Sequence, residues 1–304
     1  MSDIFVAHQH NPYQNIAFEY ELFRNYQPEK GIVIFLWVNE PCIILGRNQN
    51  YYEEVNTQLV REHHVQVVRR LSGGGAVYHD YGNLNFTFIY GAEQNINPAE
   101  LIQNALRYAG IHSIYNERND MLIDGKKISG QSQLIEDNKV LFHGTLLVNV
   151  DLDLMNKLLT PSAAKLSSHQ ISSVRSRVIN LREKYSITVK SLLESLVHFY
   201  TINYAAQRKT CDYKHLALLK QLQSEKWIYQ ENANFDVAHE FKTKIGQVSF
   251  RLQVHNGIIK NVHIFSDAYL VNDFQPLIEQ LTNQEYNQVS LEKYLLTYID
   301  QQEQ

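Results

Sequence analysis

Cysteine is nearly absent: the 304-residue chain carries two, Cys42 and Cys211. They stand far apart and in neither CxxC nor zinc spacing, which argues against a disulfide framework and fits a reducing compartment. Cys42 lies inside the strand-like run Cys42-Ile43-Ile44-Leu45 and reads as a small buried thiol. Long apolar runs are missing too. The longest, Ile32 to Val38, is far too short to span a bilayer, and Met1-Ser2-Asp3-Ile4-Phe5 shows no cationic segment followed by an apolar one, so a cytoplasmic protein is expected. Nor is there an excess of charge of one sign. With 32 acidic and 28 basic residues the formal charge is -4, which supplies no global attraction to nucleic acid or an anionic membrane, and neither is expected as a partner. No metal site is expected, because His8, His10, His63 and His64 have no further ligand spacing around them. Walker A is absent, and a GxGxxG reading fails at Tyr78, so P-loop and Rossmann nucleotide sites are excluded.

What is present is concentrated in Arg69-Arg70-Leu71-Ser72-Gly73-Gly74-Gly75-Ala76-Val77-Tyr78-His79-Asp80. Three consecutive glycines cost extra backbone entropy, so a functional reading is that a ligand needs the bare main chain there. Consecutive N–H groups could converge on an anion, with Arg69 and Arg70 adding guanidinium donors at the entrance. The competing reading is a plain glycine-rich connection after two exposed arginines.

At 304 residues and 44% hydrophobic composition the chain fits one large domain plus a smaller one. Asn15 to Arg24 reads as an amphipathic helix capped by Asn15. Gly31–Val38 and Cys42–Leu45, separated by Asn39-Glu40-Pro41, read as a hairpin. Val65–Arg70, Gly75–His79 and Leu84–Tyr90 read as strands, the last two joined by the turn Asp80-Tyr81-Gly82-Asn83. Pro98–Ala109 is a helix ending at Gly110. Asp124-Gly125 favours a two-residue type I′ turn, pairing Ile123 with Lys126, Leu122 with Lys127, Met121 with Ile128 and Asp120 with Ser129. That register puts Lys127 on a polar face with Asp120 and Ser129, and Lys126 on the other. After a turn at Asp137-Asn138, Val140–Val150 is a long strand in which Gly144 signals a bulge or a close approach. Asp151–Leu159, Thr188–Tyr204 and Lys214–Lys226 read as helices. A boundary near Phe235–Glu240 precedes the alternating run Phe241–Val254, a turn at His255-Asn256-Gly257, the strand Ile258–Phe265, and helices near Phe274–Leu281 and Leu291–Ile299.

In order along the chain, Arg70 to Asn83, Arg118-Asn119-Asp120, Lys127-Ile128-Ser129-Gly130, His143-Gly144-Thr145-Leu146-Leu147 and Ser173 to Asn180 closely resemble the lipoate–protein ligase A family, in the biotin/lipoate A/B protein ligase superfamily. The resemblance continues past Trp227-Ile228-Tyr229 into a small C-terminal domain. It implies an α+β fold: a large mixed-sheet biotin/lipoyl ligase-like catalytic domain, residues 1–238, with a small α+β accessory domain, residues 239–304. It also implies ATP-dependent activation of lipoate to lipoyl-AMP, with pyrophosphate released, and transfer to a lysine of a lipoyl acceptor domain. Acceptors would be the E2 subunits of 2-oxoacid dehydrogenases, the H protein of glycine cleavage, or both, and Mg²⁺ would neutralise the phosphates. By the same resemblance Lys127 is catalytic. Arg70, Gly75, Ala76, Val77, Tyr78 and Lys127 bind ATP. Lys127, Arg70, Ser72, Gly73, Gly74, His79, Gly144 and Thr145 bind lipoate, and Asn83, Asn119, Asp120, Ser129 and Gly130 support the site. His79 and His143 read as orienting or packing residues. Arg175 and Arg177 suit either an acceptor surface or a solvated loop. Glu117 and Gln131-Ser132-Gln133 depart from the family pattern and bear on acyl-chain preference. Two alternatives stay open: an ATP-independent lipoyl/octanoyl amidotransferase of the same fold, which needs a pocket cysteine that Leu159-Thr160-Pro161-Ser162-Ala163 does not supply, and a non-catalytic lipoyl-binding protein.

Overall fold

A computed structural model of the chain describes residues 2–116, 120–159, 178–229, 237–255, 257–268 and 273–302. Arg118, Asn119, Glu117, Asn256, the segment Thr160-Pro161-Ser162-Ala163, Arg175, Arg177 and the rest of Ser173–Arg177 lie outside the described residues.

The strands are β1 (Asp3–Val6), β2 (Val33–Trp37), β3 (Cys42–Leu45), β4 (Gln66–Arg69), β5 (Val77–His79), β6 (Asn83–Gly91), β7 (Ile114–Tyr115), β8 (Met121–Ile123), β9 (Lys126–Ser129), β10 (Gln131–Glu136), β11 (Lys139–Leu147), β12 (Gln207–Lys209), β13 (Val237–Thr243), β14 (Gly246–His255) and β15 (Ile258–Ser266). The helices are α1 (Pro12–Arg24), α2 (Tyr51–Glu54), α3 (Thr57–Glu62), α4 (Pro98–Tyr108), α5 (Leu152–Leu158), α6 (Val189–Asn203), α7 (Leu219–Leu222), α8 (Glu225–Tyr229), α9 (Gln275–Leu281) and α10 (Gln288–Gln302).

A six-stranded mixed sheet runs β10-β11-β6-β2-β1-β12, with β1 parallel to both neighbours and the remaining pairs antiparallel. On one face, Ile34, Leu36, Leu84, Phe86, Phe88 and Phe142 form a core with Leu101, Ile102, Leu106, Leu192 and Leu196 of α4 and α6. The other face meets α1 and a small sheet, β4-β3-β5, through Phe35 and Trp37 against Ile16, Phe18, Ile44 and Val68. The small sheet's far side, Ile43, Leu45, Val67 and Tyr78, is covered in turn by Val55, Val60, Leu158 and Ile228. A third sheet, β7-β8-β9, carries the lysine hairpin. The C-terminal sheet, β13-β14-β15, buries Val248, Phe250 and Leu252 against α9 and α10 in a core of its own.

Several expectations are corrected. β2 and β3 are not a hairpin: β2 pairs with β1 and β6, while β3 pairs with β4 and β5. Each run is buried along its whole length, and a strand apolar at every position carries no information about face or partner. α1 begins earlier, with Pro12 at its first position and the Asn11 side chain accepting from the Gln14 N–H at 3.0 Å. Asn15 is instead buried in the helix, donating to Asn39 Oδ1 at 2.9 Å. The expected Lys214–Lys226 helix is replaced by α7 and α8, because Ser224 Oγ accepts from the Trp227 N–H and starts a new turn. The run expected as one strand from Phe241 reverses at Lys244-Ile245 into β13 and β14. β11 ends at Leu147, where the Val148 and Asn149 N–H groups both turn to the Gly82 carbonyl.

Candidate functional site

A cavity of about 170 Å³ lies between the large and small sheets. Strand alternation supplies its floor. Odd-numbered positions of β6 put Asn83, Asn85 and Thr87 on the face away from the apolar core, and register sets Asn85 beside Trp37 and Thr145, and Thr87 beside His143. Asn85, Trp37, Thr145 and His143 line the cavity, joined by Gly144, Gln131 and Ser132. The small sheet contributes Ile44, Val77 and His79, α1 contributes Ile16 and Glu19, and the glycine segment contributes Arg70, Gly75 and Ala76. Lys127 and Gly130 come from the lysine hairpin.

That hairpin turns as its sequence requires: Asp124 and Gly125 both take positive φ, at 49° and 73°. The pairs Ile123–Lys126 and Leu122–Lys127 form as expected, but Met121 pairs with Ser129. Ile128 is the extra residue of a bulge, and its fully buried side chain in the main core accounts for the shift. Lys127 Nζ meets Asp120 Oδ1 at 2.7 Å, whereas Lys126 is exposed. Gly130 is held to β11 by its N–H on Thr145 Oγ1, at 2.9 Å, and by its carbonyl accepting from the Thr145 N–H.

Neither arginine is an exposed entrance donor. Arg69 is fully buried, and its guanidinium donates to the carbonyls of Gly46, Gln49 and Ile228, among others, tying three segments together. Arg70 is also buried. It donates from Nε to Ser72 Oγ at 3.0 Å, from Nη1 to the Ile44 carbonyl, and from Nη2 to the carbonyls of Gly73 and Gly75, so it shapes the loop as well as lining the cavity. Gly74 has φ +85°, and its N–H is taken by the Ala268 carbonyl at 2.7 Å. A methyl group built on Gly75 would meet nothing within 4 Å, so at Gly75 the protein itself does not demand glycine. At Gly144 the expected close approach is present without a bulge: an added methyl would fall 2.6 Å from Phe86 Cζ.

A chain of polar groups, of which the sequence reading had only parts, crosses the site. Ser72 Oγ is 2.7 Å from His143 Nε2, His143 Nδ1 is 2.9 Å from Glu19 Oε1, and that same oxygen accepts from Thr87 Oγ1. Glu19 is buried, on an α1 face that apolar spacing alone does not mark as functional. Its sequence signal is indirect: Asn83, Asn85 and Thr87 alternate with apolar residues in a strand covered on both faces, where polar residues need partners. Tyr78 and Asn83, expected at the site, do not line the cavity. The Tyr78 ring packs on the far side of the small sheet, and the Asn83 amide donates to Asn85 Oδ1 at 2.8 Å. Ser72, Gly73, Gly74, Asp120 and Ser129 stand behind the lining rather than in it. Cys42 and Cys211 are buried free thiols and do not line it either. Burial pushes the Cys42 thiol far up, and Cys211 is shifted the same way.

Fold and site together define a class: α+β proteins whose mixed sheet and glycine loop enclose a cavity with a lysine in its lining. Residues 11–201 match the lipoyl protein ligase A/B catalytic domain, and residues 232–303 match the bacterial lipoate protein ligase C-terminus. The lipoate-protein ligase LplJ of Bacillus subtilis (strain 168) is 33% identical over 300 residues, covering 93% of this chain and 90% of its own length. The crystal structure of P. falciparum LipL1 in complex with lipoate superposes with a TM-score of 0.81 at 29% identity, covering 97% of this chain and 94% of that one. A lipoate-protein ligase A structure bound with ATP shares the fold at 22% identity, with a TM-score of 0.66 over 75% of this chain and 98% of its own. The chain belongs to the lipoyl protein ligase A/B family.

Proposed function

We propose that the protein is an ATP-dependent lipoate–protein ligase, activating lipoate as lipoyl-AMP with release of pyrophosphate and passing the lipoyl group to a lysine of an acceptor domain. The observation that carries the reading is the convergence of Arg70, Gly75, Ala76 and Lys127 on one cavity whose other walls are Ile16, Trp37, Ile44 and Val77. A carboxylate must approach a polyanionic triphosphate, so cations and N–H dipoles are needed where negative charge accumulates. Lys127, held by Asp120, supplies a charge in the cavity wall, and in this reading phosphate and acyl carbonyl meet there. The same residue can then polarise the acyl carbonyl as the acceptor lysine attacks and AMP departs.

Among the described residues no group of three or more His, Cys, Asp or Glu is set to hold a metal. Mg²⁺ therefore enters this reading as a counter-ion of the ATP phosphates, and no step is routed through it. Acceptors in this reading are E2 lipoyl domains, the glycine-cleavage H protein, or both. The cytoplasm is the compartment it assigns; no described helix is long and apolar enough to cross a membrane. A division into a catalytic and a C-terminal part is within the same proposal, supported by the separate apolar core of the C-terminal strands and helices; β13 starts at Val237 and packs on that core, so the expected boundary after residue 238 falls inside that strand. The amidotransferase alternative lacks support from either thiol, since both are buried away from the cavity.

The test is pyrophosphate exchange into ATP with lipoate and Mg²⁺, followed by AMP release and acceptor mass. Lipoate-dependent exchange and an added lipoyl mass are expected. Folded protein that binds lipoate without exchange would leave the non-catalytic reading standing instead.

A further inference from the structure

β15 is the outer strand of the C-terminal sheet, and its free edge is covered only at the ends. Which of its main-chain groups face that edge follows from the ladder. Just past the strand the Asp267 N–H donates to the Gln247 carbonyl, so Gln247 and Asp267 are a hydrogen-bonded pair. Such pairs alternate along an antiparallel ladder with pairs whose main chains turn outward. Ser266, Ile264 and Val262, opposite Val248, Phe250 and Leu252, are of the second kind. Contacts at both ends agree. The Ser266 N–H donates to the Asn48 carbonyl at 2.8 Å. Past the register shift at Gln253-Val254, the Ile259 N–H donates to the Gln284 carbonyl and the Ile259 carbonyl accepts from the Asn283 N–H. Between these covered ends, Val262 and Ile264 have no hydrogen-bond partner on the free edge among the described residues.

The gap opens into a cleft of about 780 Å³, walled by Trp227 of α8 and by Phe274, Gln275 and Ile278 at α9. The side chains of Val262 and Ile264 are buried in the C-terminal core, so it is their main chain that meets the cleft. N–H and C=O groups repeating every second residue, about 6.8 Å apart, are matched by another extended main chain. Natural sheets blunt their edges with charge, bulges or cover, and here the cover stops at either side of the gap.

Charge around the cleft selects the strand that fills it. Arg47 and Lys226 line it against one carboxylate, Asp273, which Arg47 already meets at 3.6 Å. Lys226 is exposed and has no ion-pair partner among the described residues. On a chain of formal charge -4 this is a local excess of positive charge.

We propose that the cleft binds an extended acidic segment of a partner protein, which adds to β15 as a short strand at Val262 and Ile264. The proposal is independent of the ligase reading, because the cleft shares no lining residue with the cavity between the large and small sheets.

The experiment titrates the intact chain with a blocked hexapeptide of alternating Glu and Val, its Lys–Val counterpart, and a Glu–Val form N-methylated at every residue, read by calorimetry and by amide exchange. In the free protein the Val262 and Ile264 amides exchange readily. The Glu–Val peptide binds and protects both, the Lys–Val peptide binds more weakly, and the N-methylated form does not bind. Lys226→Glu, at an exposed position, weakens the Glu–Val peptide about fivefold and removes the preference over Lys–Val. Absence of Glu–Val binding, binding that leaves both amides unprotected, or equal affinity of the wild type for the two charged peptides overturns the proposal. Protection of both amides in the free protein overturns it too, and where sedimentation then shows self-association the edge belongs to a second copy of this chain.

Discussion

At the scale of single residues, two adjacent lysines make the sharpest comparison. Lys127 bonds Asp120 and lines the cavity, while Lys126 is exposed on the opposite side of the turn. Lys127→Ala should lower the rate of adenylation and of transfer by roughly 100-fold or more, about 2.7–4 kcal/mol of transition-state stabilisation. Lys126→Ala should stay close to wild type; equal losses in single-turnover assays of both steps would refute the assignment. His79 yields a second prediction, from its lowered pKa. The unfolded chain protonates this histidine below about pH 6.5, but the folded one stays neutral down to about pH 3. The stability it contributes is thus complete above pH 6.5 and is lost as pH falls toward 3. Replacing His79 by Gln should reduce the stability lost between pH 7 and pH 5 by about 2 kcal/mol. Urea titrations at the two pH values test this, and identical losses in variant and wild type would reject it. Lys127 was legible because an Asp-Gly pair dictates its turn and hence its face. Arg69 and Arg70 were misread as entrance donors, since their side chains serve carbonyls from segments up to about 160 positions away, which no local pattern encodes.

Among the elements, local chemistry predicted best where caps and turns decide. Asn97 and Gly110 bound α4, Thr188 caps α6, and positive φ at Asp137 and Asn138 turns β10 into β11. Pairing was legible only for strands linked by tight turns. β1 and β12 are short, and their parallel partners lie some 30 and 200 residues away, so nothing adjacent announces them. The glycine loop brings the two kinds of information together. Gly74 needs its backbone conformation, at φ +85°, whereas Gly75 has neither that need nor a close neighbour. Gly75→Val should therefore leave the melting temperature nearly unchanged while weakening ATP or lipoyl-AMP binding. Gly74→Val should lower stability itself, by roughly 1 kcal/mol or more for the strained φ. Calorimetric titration with a non-hydrolysable lipoyl-AMP analogue, read beside thermal melts, separates the two. Undiminished binding by Gly75→Val would show that no ligand approaches that backbone.

Across the whole molecule, the C-terminal core is separate in its apolar contacts yet touches the loop that borders the cavity. The Ala268 carbonyl accepts from the Gly74 N–H, and the Ser266 N–H donates to the Asn48 carbonyl at 2.8 Å. These contacts span roughly 200 positions of sequence and were invisible before the fold, although the two-part organisation itself was legible from the strand and helix order after residue 235. The same overall arrangement bears on how the acyl group is carried. A ligase activates it as a mixed anhydride with AMP and needs no thiolate, whereas an amidotransferase must hold it as a thioester on cysteine. Cys42 is fully buried in the small sheet with its thiol pushed far up, and Cys211 donates to the Val6 carbonyl at 3.3 Å. Neither is available as a nucleophile at neutral pH. The Cys42→Ala/Cys211→Ala double variant should therefore keep acceptor lipoylation that depends strictly on ATP. Its melting temperature should drop, because truncating a buried side chain in the core costs about 1–2 kcal/mol. Mass spectrometry of the acceptor with and without ATP reads the outcome. Loss of transfer in a folded double variant, or transfer from a lipoyl-protein donor with ATP omitted, would move the protein from the ligases to the thioester-forming transferases of the same fold.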